Sequence, residues 1–173
     1  MNATEAMLTR RSIRSYLPDP VPDDLLNKVL EAGTYAATGR GAQSPIIIAI
    51  TNREVRDKLS ALNARIMGTE SDPFYGAPVV LVVLARKDVP THVYDGSLVM
   101  GNLMLAAHEL GLGSCWIHRA KEEFELPEGK ELLESLGLDA DAYEGIGHCI
   151  LGYPAGEAPE PKPRKENYVY RIA

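Results

Sequence analysis

Two kinds of apolar pattern alternate along this chain, and each predicts one kind of element. Four short, mostly apolar runs predict strands at 45–51, 79–85, 114–118 and 145–152. The run at 79–85 is apolar at every position, which is typical of a central strand covered on both faces. Apolar residues at helical spacing predict helices at 3–8, 22–37, 53–67, 94–110 and 122–136.

The helix predicted at 94–110 has more apolar surface than one protein core usually covers. Its two adjacent apolar faces consist of Val99, Leu103, Ala106 and Leu110, and of Met100, Met104 and Ala107. A subunit interface would account for the second face. A helix buried at the centre of a monomer would also account for it, and the pattern leaves both possibilities open.

Two glycine-containing loops separate these elements. The loop at 38–45 contains Thr38, Gly39, Gly41 and Gln43, so it is either a ligand-binding loop or a plain turn between helix and strand. It lacks the Gly-Lys-Ser/Thr of a P-loop. The loop at 111–113 begins like a dinucleotide-binding fingerprint, but that fingerprint requires glycine at position 116, which is Trp116 here. Its glycines are therefore interpreted as turn residues.

The last 21 residues, 153–173, predict an extended arm. Four prolines interrupt this segment, and Tyr168 and Tyr170 lie near its end. A proline-rich segment of this kind is stiff and extended. We expect the arm to pack against its own body or against a partner.

Composition restricts the class of protein. The 173 residues are 45% hydrophobic and 24% charged, which predicts one globular domain over 1–173. A net charge of −6 argues against general nucleic-acid binding. No signal peptide and no apolar run long enough to cross a bilayer are visible, so we expect a soluble, cytoplasmic protein with no membrane partner.

The two cysteines, Cys115 and Cys149, form no CxxC pair and have no histidine at zinc-ligand spacing. We therefore expect no metal site and interpret both as reduced thiols in the core.

Positive charge is concentrated near the two ends of this acidic chain. Arg10, Arg11 and Arg14 surround Ser12 at one end, and 162–165 is Lys-Pro-Arg-Lys at the other. Guanidinium groups bind phosphate bidentately, and such a cluster repels itself unless an anion lies between its members. The two ends are predicted to close on one phosphate. The alternative is a solvated surface paired with the abundant acids.

Five motifs in chain order resemble the FMN-dependent nitroreductase family. They are Arg-Arg-Ser-Ile-Arg at 10–14, Thr-Gly-x-x-x-Gln at 38–43, Gly-Ala-Pro-Val-Val before the strand at 79, Leu-Gly-Leu-Gly-Ser-Cys-Trp-Ile at 110–117, and Pro-Lys-Pro-Arg-Lys at 161–165. The resemblance covers nearly the whole chain. It implies an α+β fold with a mainly antiparallel central sheet flanked by helices, an extended C-terminal arm, and a homodimer with FMN at the subunit interface.

The resemblance also implies roles for particular residues. The FMN phosphate would be bound by Arg10, Arg11, Ser12, Arg14, Lys162 and Arg164. Thr38, Gly39 and Gln43 would reach the flavin from the other subunit. The backbone of Trp116, Ile117, His118 and Arg119 would run past the flavin ring near N5.

Two departures from the family pattern bear on the pocket. Gly41 occupies a position where the family usually has asparagine, which removes one side-chain contact to the flavin. His118 and Arg119 follow the Trp-Ile strand where glycines are often found, and their bulk and charge could narrow the substrate pocket. Phe74 and Tyr75 form either a mobile flap or a packed loop.

The implied activity is hydride transfer from NADH or NADPH through flavin N5 to nitroaromatic, quinone or similar electron-poor acceptors, by a ping-pong scheme. No catalytic side chain is required, and a histidine such as His118 beside a strand is more often simply hydrogen-bonded. Alternatives are a specialised flavoprotein reaction on the same fold, such as dehalogenation, enone reduction or flavin breakdown, and a non-enzymatic anion-binding module. The physiological acceptor and the preferred nucleotide stay open.

Overall fold

A computed structural model describes residues 1–173 of the chain. Its centre is a four-stranded sheet in the order β1-β2-β4-β3, in which every neighbouring pair is antiparallel. The strands are β1 (Pro45–Ile50), β2 (Val79–Arg86), β3 (Gly113–Ile117) and β4 (Tyr143–Gly152). The predicted α+β fold with an antiparallel sheet is therefore confirmed.

Six helices surround this sheet. They are α1 (Ala3–Thr9), α2 (Asp23–Thr34), α3 (Arg53–Met67), α4 (His92–Glu109), α5 (Ala120–Glu125) and α6 (Pro127–Ser135), with short 3-10 turns at Gly39–Gly41 and Ala140–Ala142. No helix is both long enough and apolar enough to cross a membrane.

Alternate residues of β2 pack into two separate cores. Leu81 and Val83 face the core that α2 and α4 cover, whereas Val80 and Val82 face the core that α3, α5 and α6 cover. Side chains on a strand alternate between faces, so only a strand covered on both sides needs continuous apolar residues. The prediction of a central strand at 79–85 is confirmed. The strand β1 is apolar as well, but it lies at the sheet edge and its residues are mostly half-buried.

Two predicted helices end differently in the structure. The helix expected at 122–136 is two helices, because Pro127 has no backbone N–H to continue α5 and instead begins α6. The helix expected to reach residue 37 ends at Thr34, where Tyr35 and Ala36 close the last turn with tighter backbone bonds to Ala32 and Gly33.

Gly33 is required for the packing of α2 against α4. A Cβ atom at this position would lie 2.6 Å from Leu103 Cδ2. The absence of a side chain therefore allows the two helices to approach closely, which offsets the low helix propensity of glycine.

The N-terminal segment after α1 lies along the free edge of β3. Ser12 forms a parallel bridge with Ser114, and Tyr16 forms an antiparallel bridge with Pro154 at the start of the C-terminal arm. Residues 155–173 of the arm are exposed and contain no helix or strand. The first residues of the arm therefore lie beside the N-terminal segment.

The two cysteines are buried and unpaired. Although they lie on the neighbouring strands β3 and β4, Cys115 packs in the core of α3, α5 and α6, and Cys149 packs in the other core. Both are core residues, as predicted.

Candidate flavin-binding site

A basic cavity of about 340 Å³ lies beside the N-terminal segment. Its polar lining consists of Arg10, Arg11, His108 and Ser114, and the rest comes mainly from the turn before β3 and the start of the arm. We call it the basic cavity. Arg10 follows the last residue of α1, Ser114 lies on β3, and His108 is in the last turn of α4, so three elements converge there.

Two buried polar atoms of the basic cavity have no hydrogen-bond partner. They are Arg10 Nη1 and Ser114 Oγ, and they account for two of the three such side-chain atoms in the chain. Nearly all buried polar groups in proteins are paired, so these two indicate a missing ligand. An anion with several oxygen atoms could accept from both, and the residues therefore fit a phosphate group.

The electrostatics of the basic cavity favour an anion as well. Burial and the nearby positive charges of Arg10 and Arg11 lower the pKa of His108. The Nε2 atom of His108 lies 2.8 Å from Thr9 Oγ1, and Arg11 donates to the carbonyl oxygens of Leu8 and Arg10. No carboxylate forms an ion pair with Arg10 or Arg11, so an anionic ligand would meet uncompensated positive charge.

A second cavity, of about 300 Å³, lies at the other end of β3. Its lining includes Arg14, Tyr75 and the four residues Trp116, Ile117, His118 and Arg119. We call it the strand-end cavity. Ser114 and Ile117 are three residues apart on β3, which corresponds to roughly 10 Å.

This arrangement separates the arginines of the N-terminal motif. Arg10 and Arg11 line the basic cavity, whereas Arg14 lines the strand-end cavity beside the residues predicted to run past the flavin ring. Ser12 holds the segment between them through its bridge to Ser114.

The loop of Thr38, Gly39 and Gln43 lies far from the basic cavity in one chain. It precedes Pro45 of β1, which pairs with Ala85 of β2, whereas Ser114 pairs with Leu151, and Leu151 pairs with Val79 at the opposite end of β2. At ordinary sheet spacings this diagonal is roughly 25 Å. One chain therefore does not bring this loop to the basic cavity.

The buried carboxylate of Asp95 holds the loop 38–44 in place through hydrogen bonds. Asp95 Oδ1 accepts from the Gly39 backbone N–H at 2.9 Å, and Asp95 Oδ2 accepts from Thr91 Oγ1 at 3.0 Å and from Ser44 Oγ at 3.4 Å. The Gln43 backbone N–H donates to Thr38 Oγ1 at 3.1 Å. The Gln43 residue itself is exposed.

Three loop residues have left-handed backbone conformations: Arg40 (φ 55°), Gly41 (φ 67°) and Gln43 (φ 47°). Glycine and asparagine are the residues that adopt this conformation most readily. Gly41 therefore keeps the backbone shape that asparagine also permits, although it lacks the side-chain contact.

Lys162 and Arg164 are exposed on the C-terminal arm. Arg164 donates to the carbonyl oxygen of Lys162, and neither side chain forms a bond to the rest of the chain. Gly156 and Ala158 do line the basic cavity. The arm thus begins at the predicted phosphate site, but its basic residues are not brought to the cavity.

The segment 69–77 is a packed loop held by hydrogen bonds to Asp72, and Phe74 and Tyr75 occupy different places in it. Asp72 accepts from Arg56, Ser60 and the backbone of Phe74 and Gly76. Burial alone would raise the pKa of Asp72, but these hydrogen bonds outweigh it and lower the pKa. Phe74 is fully buried, whereas Tyr75 borders the strand-end cavity.

Sequence reasoning missed several residues of this region. Ser114 was only part of a motif, and His108 and Asp95 looked like ordinary polar positions of a helix. The glycines at 111 and 113 are the only local signal near Ser114, and nothing local marks His108 or Asp95. Their roles depend on partners far away in the sequence.

Comparison with known proteins gives a consistent result. The family model described as "Nitroreductase family" matches residues 7–153. A protein of Methanothermobacter thermautotrophicus assigned as an NADH dehydrogenase/NAD(P)H nitroreductase is 33% identical over 164 residues, covering 90% of this chain and 78% of that protein. An FMN reductase [NAD(P)H] of Bacillus subtilis is 26% identical, covering 95% of this chain and 70% of that protein.

Solved structures extend the similarity to the whole chain. A crystal structure of a nitroreductase with bound FMN from Bacteroides fragilis is 28% identical, with a TM-score of 0.88 and complete coverage of both chains.

Proposed function

Because the chain belongs to the nitroreductase family, we propose that it is an FMN-dependent oxidoreductase that transfers hydride from NADH or NADPH to small electron-poor acceptors such as nitroaromatics and quinones. The single observation that supports this best is the pair of unpartnered buried atoms, Arg10 Nη1 and Ser114 Oγ, on one basic cavity. They provide the hydrogen-bond donors that a phosphate group requires.

The chain's own groups have binding and positioning roles in this proposal. Arg10, Arg11 and Ser114 would hold the phosphate, and Ser12 would keep the segment against β3. The strand-end cavity would receive the ring, with Arg14 beside it instead of at the phosphate. When bound, FMN would supply an N5 atom that accepts hydride and passes it on.

A homodimer is part of the proposal, because the loop of Thr38, Gly39 and Gln43 lies at the opposite corner of the sheet from the basic cavity. A second copy of the chain could bring its loop to the flavin bound by the first. The exposed apolar side chains of α4, including Tyr94 and Leu98, offer a surface for that contact. Lys162 and Arg164 would reach a phosphate through a movement of the arm or from the partner.

The first experiment is spectroscopic. We expect the purified protein, supplied with FMN, to retain it through gel filtration and to show a flavin absorption spectrum. Under anaerobic conditions NADH or NADPH should bleach that spectrum, and a quinone or nitroaromatic should restore it. A protein that stays colourless after incubation with FMN would contradict the proposal.

Site-directed variants locate the phosphate site. Arg10→Gln should weaken FMN binding roughly tenfold or more, because it removes a charge-assisted hydrogen bond to phosphate. Arg53→Gln is the matched control, since Arg53 has 94% of its side chain exposed and lies on α3, away from the basic cavity. Equal weakening in both variants would point to a general charge effect and not to a site at Arg10.

A further inference from the structure

Arg119 is a half-buried arginine whose charge is not neutralised. It lines the strand-end cavity, and the only hydrogen bond of its side chain runs from Nε to Asn63 Oδ1 at 2.9 Å. Its two Nη groups have no partner within the chain, and no carboxylate forms an ion pair with it. The bidentate end of the guanidinium group is therefore available to a ligand.

A buried polar network holds Arg119 in place. The Nδ2 atom of Asn63, a fully buried residue, donates to the carbonyl oxygen of His118 at 2.9 Å and also to Glu123 Oε1. Glu123 Oε2 lies 2.9 Å from His148 Nε2, and both of these residues are fully buried as well. Burying several polar groups is unfavourable unless each one is paired, and a paired network fixes the geometry of its members.

The backbone at Arg119 is also unfavourable for arginine. Its φ of 79° lies in the left-handed region, where glycine is the least strained residue. A turn here would be easier to form without this side chain. An arginine at this strained position therefore indicates that its side chain has a role that glycine could not fill.

The other charged groups of the strand-end cavity leave it cationic. Arg14 has no hydrogen bond or ion pair, and His118 is exposed at the rim. Asp72 is the one acidic residue of the lining, and its oxygens already accept from Arg56, Ser60 and two backbone N–H groups.

We propose that Arg119, assisted by Arg14, binds the carboxylate of a small planar acceptor, so that this enzyme selects anionic aromatic substrates over neutral ones. Asn63 is the residue that positions Arg119 for this task. The inference rests on the proposed function, because it takes the strand-end cavity as the place where acceptor and flavin ring meet. It adds the chemical class of the acceptor and the residue that discriminates.

The test compares ligands that differ only in charge. Binding of benzoate and of benzamide to the FMN-loaded protein is measured by the change in the flavin spectrum, and reoxidation of the reduced protein is measured with 4-nitrobenzoate and 4-nitrobenzamide. We expect the carboxylates to be favoured at least tenfold in both measurements. Arg119→Gln should remove that preference, which amounts to roughly a ten- to hundredfold loss for the carboxylates relative to the amides.

Two further variants complete the design. Arg119→Gly also removes the charge and suits a φ of 79°, so it replaces the glutamine variant if that one does not fold. Arg53→Gln makes the same change in net charge on an exposed side chain and should keep the full preference.

Either of two results would overturn the inference: a wild-type protein that does not distinguish carboxylates from amides, or an unchanged preference after loss of the Arg119 charge. A defect confined to reduction by NADH or NADPH would also overturn it, because it would assign Arg119 to the nucleotide. In all three cases the flavin is still bound, and the amides still reoxidise the reduced protein. Failure of the proposed function appears separately, as a protein without flavin or one that no nucleotide reduces.

Discussion

Ser114 lies in the basic cavity as a buried hydroxyl group without a partner. An unpaired buried hydroxyl destabilises the ligand-free fold and strengthens the binding of a ligand that pairs with it. Nothing in the spacing of Ser114 along the chain distinguishes it from other serines. The distinction comes from its place on β3 beside Arg10.

Replacing this hydroxyl should have opposite effects on stability and on binding. We expect Ser114→Ala to raise the free energy of unfolding of the flavin-free protein by about 1 kcal/mol, because it removes an unpaired buried group. The same change should weaken FMN binding. Urea unfolding and a fluorescence titration with FMN measure the two effects.

Ser60→Ala is the control for this prediction, because the buried hydroxyl of Ser60 donates to Asp72. It should lose stability and retain FMN affinity. A loss of stability in Ser114→Ala of the same size as in Ser60→Ala would show that the Ser114 hydroxyl is paired in solution.

Cys149 should make the protein less stable in alkali. Burial, together with nearby Cys115, raises the pKa of the Cys149 thiol from 9.0 to about 12. Between those values the unfolded chain releases a proton that the folded chain keeps, so the contribution to stability is complete below pH 9 and is lost as pH rises toward 12. The free energy of unfolding should then fall by up to about 1.4 kcal/mol per pH unit.

The measurement is urea unfolding from pH 8 to pH 11 for the wild type and Cys149→Ala. The variant should be less stable at pH 8 because it leaves a cavity, but its stability should fall less steeply with pH. Part of the slope remains, since burial also raises the pKa of Tyr16. Parallel curves for the two proteins would exclude the assignment to Cys149.

Helices and strands were predictable where their signal is local. The predicted helix at 53–67 coincides with α3, in which Asn52 caps the first turn and Gly68 ends the last in a left-handed conformation. The helix predicted at 122–136 was wrong as a single element, although Pro127 is itself a local signal that α5 has to end.

The loop 38–44 shows the opposite case, because its conformation depends on Asp95 in the first turn of α4. We expect Asp95→Ala to lower the free energy of unfolding by about 2–3 kcal/mol, since the Gly39 N–H and the Ser44 hydroxyl lose their acceptor. Asp95→Asn, which keeps one oxygen, should lose less. Urea unfolding measures both.

FMN retention by the Asp95 variants is the second measurement. It should fall together with stability if the loop contacts flavin across a dimer. A loss below 0.5 kcal/mol in Asp95→Ala, a value typical of ordinary surface changes, would mean that the loop is held by other contacts.

For the molecule as a whole, the important distance is the diagonal of the sheet between the basic cavity and the loop 38–44. Each corner carries part of the predicted flavin site, and a single chain leaves them roughly 25 Å apart. Both apolar faces predicted for α4 pack on the core of this chain: Val99, Met100, Leu103 and Ala107 are buried, and Met104, Ala106 and Leu110 are partly buried against them. Leu98 belongs to neither face and is 50% exposed, so it is the residue of α4 that a second chain could cover.

Leu98→Glu should therefore yield a monomer that no longer retains FMN, because a buried charge at a subunit interface is strongly unfavourable. Leu136→Glu is the matched control, since Leu136 is 53% exposed and Leu98 is 50% exposed. Light scattering after gel filtration gives the oligomeric state, and absorbance gives the flavin content. A dimer with full flavin content in Leu98→Glu would place the interface elsewhere.

From its sequence alone, this chain could be interpreted as an α+β protein with a buried central strand, a flavin family motif set and a local anion site. The α+β fold was implied by the resemblance of five motifs along the chain to a known family. The central strand and the basic cluster follow from neighbours within a few positions, at 79–85 and at 10–14. Both patterns involve residues close together in the chain, and such short-range spacing can be recognised in a sequence without knowing the fold.

Only the folded chain decided which polar groups meet. It separated Arg14 from Arg10 and Arg11, joined Asp95 to Gly39, and linked Arg119 through Asn63 to Glu123 and His148. The physical reason is that a hydrogen bond requires atoms within about 3 Å. These bonds join residues 25 to 60 positions apart, and at such separations packing of the helices on the sheet determines the distance between atoms, whereas spacing along the chain does not.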